Sequence, residues 1–157
     1  MDNRYAYPVN RSSSVLAING HPIYLMLDHY PIACFTLTLL TDLLYWRTSN
    51  LMWQDFSEWL LLAGLVIGGV ELLVLLVDVI FSRSLRATGL AWFYVFGLIA
   101  ILLLATLNSF VHAADGWSGV VPWGLTVSGI TCLAILVTTW FGREMAFRSL
   151  FAERPAR

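Results

Sequence analysis

Lysine is missing from this chain, and charge of either sign is scarce. Only 12% of the 157 residues are charged, against 59% hydrophobic, and the mean hydropathy is +0.74. Soluble domains are about 25% charged, so the polar surface here falls short of covering a globule in water. The net charge of −1 and the lack of a basic patch with interleaved aromatics leave no nucleic-acid footprint. The two cysteines, Cys34 and Cys132, both lie in apolar runs; their spacing offers neither a disulfide framework nor a zinc site, and they read as small hydrophobes. No G-x-S-x-G, P-loop or GxGxxG motif is present, so no nucleophile elbow or phosphate cradle can be read. Met1 to Ser14 is polar and lacks a short apolar stretch ending in a cleavage site, which predicts no signal peptide. That every basic residue is arginine points to a GC-rich bacterial genome.

What the chain does have is long apolar runs. Four are expected to be helices, over about 24–46, 58–81, 90–111 and 120–142. Each is about 22 residues, and about 20 suffice to cross the hydrocarbon core. Backbone groups in lipid must pair within the segment, which selects helices; the runs do not alternate as barrel strands would. The connections are short: 47–57, 82–89 and 112–119. Short links make sequential neighbours antiparallel, so the expected fold is all-α, an integral membrane four-helix up-down-up-down bundle. It divides into a polar N-terminal segment 1–20, a transmembrane domain 21–148 and a tail 149–157.

Arginine placement gives an orientation. Arg4, Arg11, Arg83, Arg86, Arg143, Arg148, Arg154 and Arg157 fall on one side, and Arg47 alone on the other. The positive-inside rule then puts both termini in the cytoplasm of a bacterial inner membrane. Trp46, Trp53, Trp59, Trp117 and Trp123 gather at the outer ends, and Trp92 and Trp140 at the inner ends, as an aromatic belt does. Pro31 predicts a kink in the first helix, which is expected to start at Asn19 or Gly20.

Acids at the centre of a membrane helix cost about 2.5–3.5 kcal/mol on insertion scales. Asp42, Glu71 and Asp78 are therefore expected to face the interior with partners. Gly64, Gly68, Glu71, Leu75 and Asp78 form one stripe of the second helix, and the two glycines admit a close neighbour. Depth matching predicts three polar layers. The inner one pairs His29 with Asp78. The middle one sets Glu71 among Thr36, Thr38 and Thr131. The outer one pairs Asp42 with Asn108. Burial disfavours a charged carboxyl, so Glu71 reads either as a neutral hydrogen-bond donor or as part of a proton path.

The stretch "GHPIYLMLDHYP", 20–31, holds His21 and His29, two of the three histidines. A bis-histidine heme b needs imidazoles facing across a bundle. These two are eight residues apart on one strand of chain, and His112 is placed beyond the third helix, on the opposite side. His21, His29 and Asp28 also include zinc-ligand types, without a spacing that commits them. The favoured role for His29 is an interfacial hydrogen bond to an acid, with a pH-responsive contact as its functional variant.

The same stretch, followed by "TDLLYW", resembles the opening of bacterial membrane proteins that carry the domain of unknown function 2231. Gly20, His21 and Pro22 match that family's Gly-His-Pro; His29 and Pro31 match its His-Phe-Pro, with Tyr30 for Phe; Asp42 to Tyr45 match its Asp-Leu-Leu-Tyr. Asp78 falls where the family closes its second helix with an aspartate, and Trp140, Gly142 and Glu144 resemble its closing segment. Tyr24 stands where the family has a second histidine, the histidine entering helix three is absent, and Arg143 replaces a glycine. The resemblance implies a four-helix membrane domain, sometimes joined to redox enzymes, hence an anchor or an electron-transfer accessory.

The resulting expectation is a non-enzymatic membrane module without a cofactor, in contact with the lipid bilayer and with itself or a membrane-protein partner. Two alternatives stand beside it. One is a heme- or quinone-linked electron-transfer accessory using His21 and His29. The other is a small proton-coupled transporter or channel subunit using Asp42, Glu71 and Asp78.

Overall fold

A seven-residue repeat runs through every long helix of this protein. The computed structural model describes residues 14–18, 21–87, 89–113 and 120–151. Four helices are long and apolar enough to cross a membrane. They are α1 (Ile23–Thr48), α2 (Leu51–Phe81), α3 (Gly89–Ala113) and α4 (Leu125–Phe151). On α2 the buried positions Ser57, Leu61, Gly64, Gly68, Glu71, Leu75 and Asp78 are alternately four and three residues apart. Ala91, Tyr94, Leu98, Ile101, Ala105, Asn108 and His112 repeat the pattern on α3. Pro31, Phe35, Thr38, Asp42 and Tyr45 do so on α1, and Ser128, Thr131, Ile135, Thr138 and Gly142 on α4. This spacing keeps one narrow seam of each helix against its neighbours, as in left-handed bundles.

The seams are unusual in their chemistry. Many seam positions are polar, while Leu37, Leu73, Leu103, Phe110 and Leu133 stand exposed on the outside. In water that arrangement would fail. In a bilayer the outer face meets hydrocarbon and the interior must satisfy the polar groups. Trp46, Trp59 and Trp123 are exposed near one end of the bundle, and Trp92 and Trp140 near the other.

α1 packs on α2 and α4, and α3 packs on the same two, so the helices form a ring in chain order. The connection between α1 and α2 is only Ser49 and Asn50. Ser49 adopts the left-handed conformation (φ 52°) and caps α1 through its N–H to the Tyr45 carbonyl at 2.7 Å. Asn50 accepts a bond from the Met52 N–H at 3.0 Å and so starts α2. The helix therefore begins seven residues earlier than hydropathy predicts. Residues 51–57 mix aromatic and polar side chains, which suit a membrane boundary and dilute the apolar signal. At the opposite corner Ser82 caps the single turn Arg83–Arg86.

α1 starts at Ile23, after a two-residue antiparallel pairing of Ala17–Ile18 with His21–Pro22. The expected start at Asn19 or Gly20 falls outside the described residues, as do 1–13, Trp117, Arg154 and Arg157. The expected kink falls at Asp28, between Ile23–Leu27 and His29–Thr48. Pro31 has no N–H to give the Leu27 carbonyl, and the helix loosens there.

The glycine stripe of α2 is used inside the bundle. A Cβ on Gly64 would sit within 3.0 Å of three ring carbons of Phe35, and one on Gly68 would meet Leu102 and Pro31. These two glycines let α1 and α3 approach α2, so any self-association must use another face.

Candidate functional site

Asp42 sits on the α1 seam, fully buried, and each of the other three helices sends a polar group to its carboxylate. From α2, the Ser57 hydroxyl donates to Oδ1 at 2.6 Å. From α4, the Ser128 hydroxyl donates to Oδ2 at 2.6 Å. From α3, His112 Nε2 lies 2.9 Å from Oδ1. Around these, Thr41 Oγ1 lies 2.7 Å from the Ser57 hydroxyl, and the Asn108 amide donates to Ser128 at 2.8 Å. One carboxylate thus ties all four helices together.

The protons in this node can be counted. His112 Nδ1 lies 3.0 Å from the Asn108 carbonyl oxygen. A carbonyl only accepts, so Nδ1 carries hydrogen. One further proton lies between Nε2 and Oδ1, and the Asp42–His112 pair is neutral overall wherever that proton sits. Serine, histidine and aspartate meet here, but not as a nucleophilic relay. In a relay the imidazole takes the serine proton while the acid holds its other nitrogen. Here both serines donate to the acid, and the second imidazole nitrogen is held by backbone. The wiring is cohesive.

A second cluster lies deeper along the bundle. The Tyr94 hydroxyl of α3 donates to Glu71 Oε1 of α2 at 3.1 Å. Glu71 is fully buried, and its Oε2 has no partner. It lines a gap of about 10 Å³, together with Asp28, Tyr94, Thr138 and Thr139. Asp28 and Asp42, Ser57 and Glu71, and Tyr94 and Asn108 are each fourteen residues apart, two periods of the seven-residue repeat. That spacing separates the clusters by about 21 Å along the axis. Between them Phe35, Leu61, Ile101, Ala105 and Ile135 form an apolar block.

The structure revises all three predicted layers. Asp78 does not meet His29; it accepts from the Ser14 hydroxyl at 2.5 Å and from the Leu16 N–H at 2.8 Å. The segment before α1 folds over this end and brings both donors. His29 follows the seam position Asp28, so it is turned about 100° away and stands exposed. Glu71 does not bond threonines. Thr36, Thr38 and Thr131 give their hydroxyls to carbonyls four residues back in their own helices. Asp42 and Asn108 share a layer but not a bond, because the Ser128 hydroxyl stands between them.

His112 is the main residue misplaced by sequence reasoning. Hydropathy ends the third helix before it, whereas α3 runs through Ala113 and buries the ring. The signal was present: His112 continues the alternation of three and four from Ala105 and Asn108. His21 is exposed in the short pairing before α1. Among the described residues, no three of His, Cys, Asp and Glu converge in a metal-holding group.

Residues 20–152 match the family model described as predicted membrane protein (DUF2231). No curated protein and no solved structure matches. The family match spans the whole bundle, from the stretch before α1 through α4, and the chain belongs to the DUF2231 family of membrane proteins.

Proposed function

We propose that this chain is a non-enzymatic membrane module, an anchor or accessory subunit for a membrane partner, with both termini in the cytoplasm of a bacterial inner membrane. The observation that carries the reading is the Asp42 node. Its acid, imidazole and hydroxyls are committed to one another across four helices. None of them is left to act on a substrate, and the node is sealed from solvent. An electron-transfer role would have to draw axial ligands from the exposed His21 and His29, since both nitrogens of His112 are engaged. The orientation rests on the arginines. The Arg83–Arg86 turn shares an end with Asp78 and the segment before α1, while Arg47 closes α1 at the other end.

Two measurements test the proposal. Reporter fusions at the C-terminus should read cytoplasmic, and a fusion in the 114–119 connection periplasmic; the reverse pattern would refute the orientation. Protein extracted from its own membrane in mild detergent should run as a stoichiometric complex with a second polypeptide. A monomer that stays monomeric when reconstituted in lipid would contradict the accessory role.

A further inference from the structure

The corner between α2 and α3 carries two arginines that meet no carboxylate among the described residues. Ser82 accepts from the Leu85 N–H at 3.4 Å, and the Leu85 side chain is buried, so the turn Arg83–Arg86 is pinned against the bundle. Arg83 and Arg86 are three residues apart, which puts them on one face of the turn, and both are exposed. Arg86 Nη1 donates to the Ile80 carbonyl at 3.3 Å, and the Trp92 indole N–H donates to the Arg86 carbonyl at 3.3 Å. These bonds bring the turn onto an apolar wall of exposed side chains: Ile80, Trp92 and Phe96, the last two with ring centroids 6.1 Å apart. The opposite end of the bundle is built otherwise. There the Arg47 guanidinium lies 5.8 Å from the Trp46 ring centroid, and Asp55 and Glu58 are exposed.

We propose that this corner binds one phospholipid of net negative headgroup charge, its phosphate held by Arg83 and Arg86 and an acyl chain laid along Ile80, Trp92 and Phe96. A guanidinium presents its N–H donors in a planar fork that matches phosphate oxygens. Tryptophan sits at headgroup level, with its ring towards hydrocarbon and its N–H towards the polar side, as Trp92 does here. The preference for an anionic lipid follows from the acids. A zwitterionic headgroup brings an ammonium that needs a carboxylate beside the phosphate. Asp78 is fully buried and committed to Ser14 and Leu16, and Asp28 lines the interior gap beside Glu71. Among the described residues at this end, no exposed carboxylate remains to receive an ammonium. The site is independent of the direction in which the termini face.

Native mass spectrometry of the full chain released from detergent, titrated with phosphatidylglycerol or with phosphatidylethanolamine of the same acyl chains, tests this. The expected result is one phosphatidylglycerol retained tightly per chain, and weaker retention of phosphatidylethanolamine. Arg83→Gln and Arg86→Gln should each weaken phosphatidylglycerol about 5-fold, and the double variant about 30-fold. Arg47→Gln, at the other end, should leave it unchanged. Trp92→Ala should weaken both lipids, because the wall serves either acyl chain. Equal retention of the two lipids by the unmodified chain overturns the proposal, as does a double variant that holds phosphatidylglycerol as the unmodified chain does. If the double variant fails to fold, Arg83→Gln and the comparison of the two lipids decide. Inorganic phosphate that displaces phosphatidylglycerol at equal concentration overturns the lipid assignment, since the apolar wall would then contribute nothing.

Discussion

Asp42→Ala should destabilise the bundle more than any other single polar substitution, by about 3–5 kcal/mol. Three interhelical hydrogen bonds at about 0.6 kcal/mol each in a bilayer give about 2 kcal/mol. Removing the acid also strands the His112 imidazole, which keeps its bond to the Asn108 carbonyl but has nothing at Nε2. An uncompensated group in the interior supplies the remainder. Asp42→Asn should cost less, because an amide keeps an oxygen for one hydroxyl while its NH2 can still face Nε2. Equilibrium unfolding in mixed micelles checks both, and an Asp42→Ala loss below about 1 kcal/mol would mean that the node contributes no more than two average membrane bonds.

Gly64→Ala should cost about 1–3 kcal/mol, although alanine is the better helix former. The new methyl would land on the Phe35 ring, which is itself 1% exposed and packed between Leu61 and Ile101. Gly69 provides the control: nothing lies within 4 Å of a Cβ placed there. Gly69→Ala should therefore be neutral or gain up to about 1 kcal/mol from helix propensity. Phe35→Leu combined with Gly64→Ala should recover part of the loss, since the shorter side chain vacates the contested space. If Gly64→Ala and Gly69→Ala behave alike in unfolding measurements, close packing of α1 on α2 is not what Gly64 provides.

Much of this architecture is legible in the sequence, because lipid makes simple demands. Apolar runs of sufficient length must be helices, short links make them antiparallel, and costly acids must turn inward. Asp42, Glu71 and Asp78 are all fully buried. The stripe Gly64, Gly68, Glu71, Leu75 and Asp78 is a buried seam of α2. Partner identity was less legible. Matching by depth says which residues share a level, not which face each helix turns inward. His29 and Asp78 agree in depth, yet His29 is one residue off the seam. The threonines agree in depth with Glu71, yet a threonine hydroxyl in a helix has a closer acceptor in its own carbonyl four residues back.

The missing information was periodic rather than compositional. Extending the four-three alternation of α2 back from Gly64 reaches Ser57, and extending that of α3 forward reaches His112. The two-heptad interval that relates Ser57 to Glu71 also relates Asp28 to Asp42 and Tyr94 to Asn108. Hydropathy cannot find these residues, because Ser57 and His112 lie where the apolar signal has already faded. Ser14 and Leu16 are harder still. They reach Asp78 through a bend and a two-residue pairing with no sequence periodicity at all.

The measurement that bears most directly on the cohesive role of the interior is a double-mutant cycle between Asp42 and His112. Asp42→Ala, His112→Ala and the double variant would be unfolded in the same lipid–detergent system. If the carboxylate and imidazole hold α1 to α3 as their 2.9 Å contact indicates, the double variant should be less destabilised than the sum of the singles, by about 1–3 kcal/mol. Additivity within about 0.5 kcal/mol would contradict it, and would mean that the imidazole contributes nothing to holding α3 against the Asp42 carboxylate.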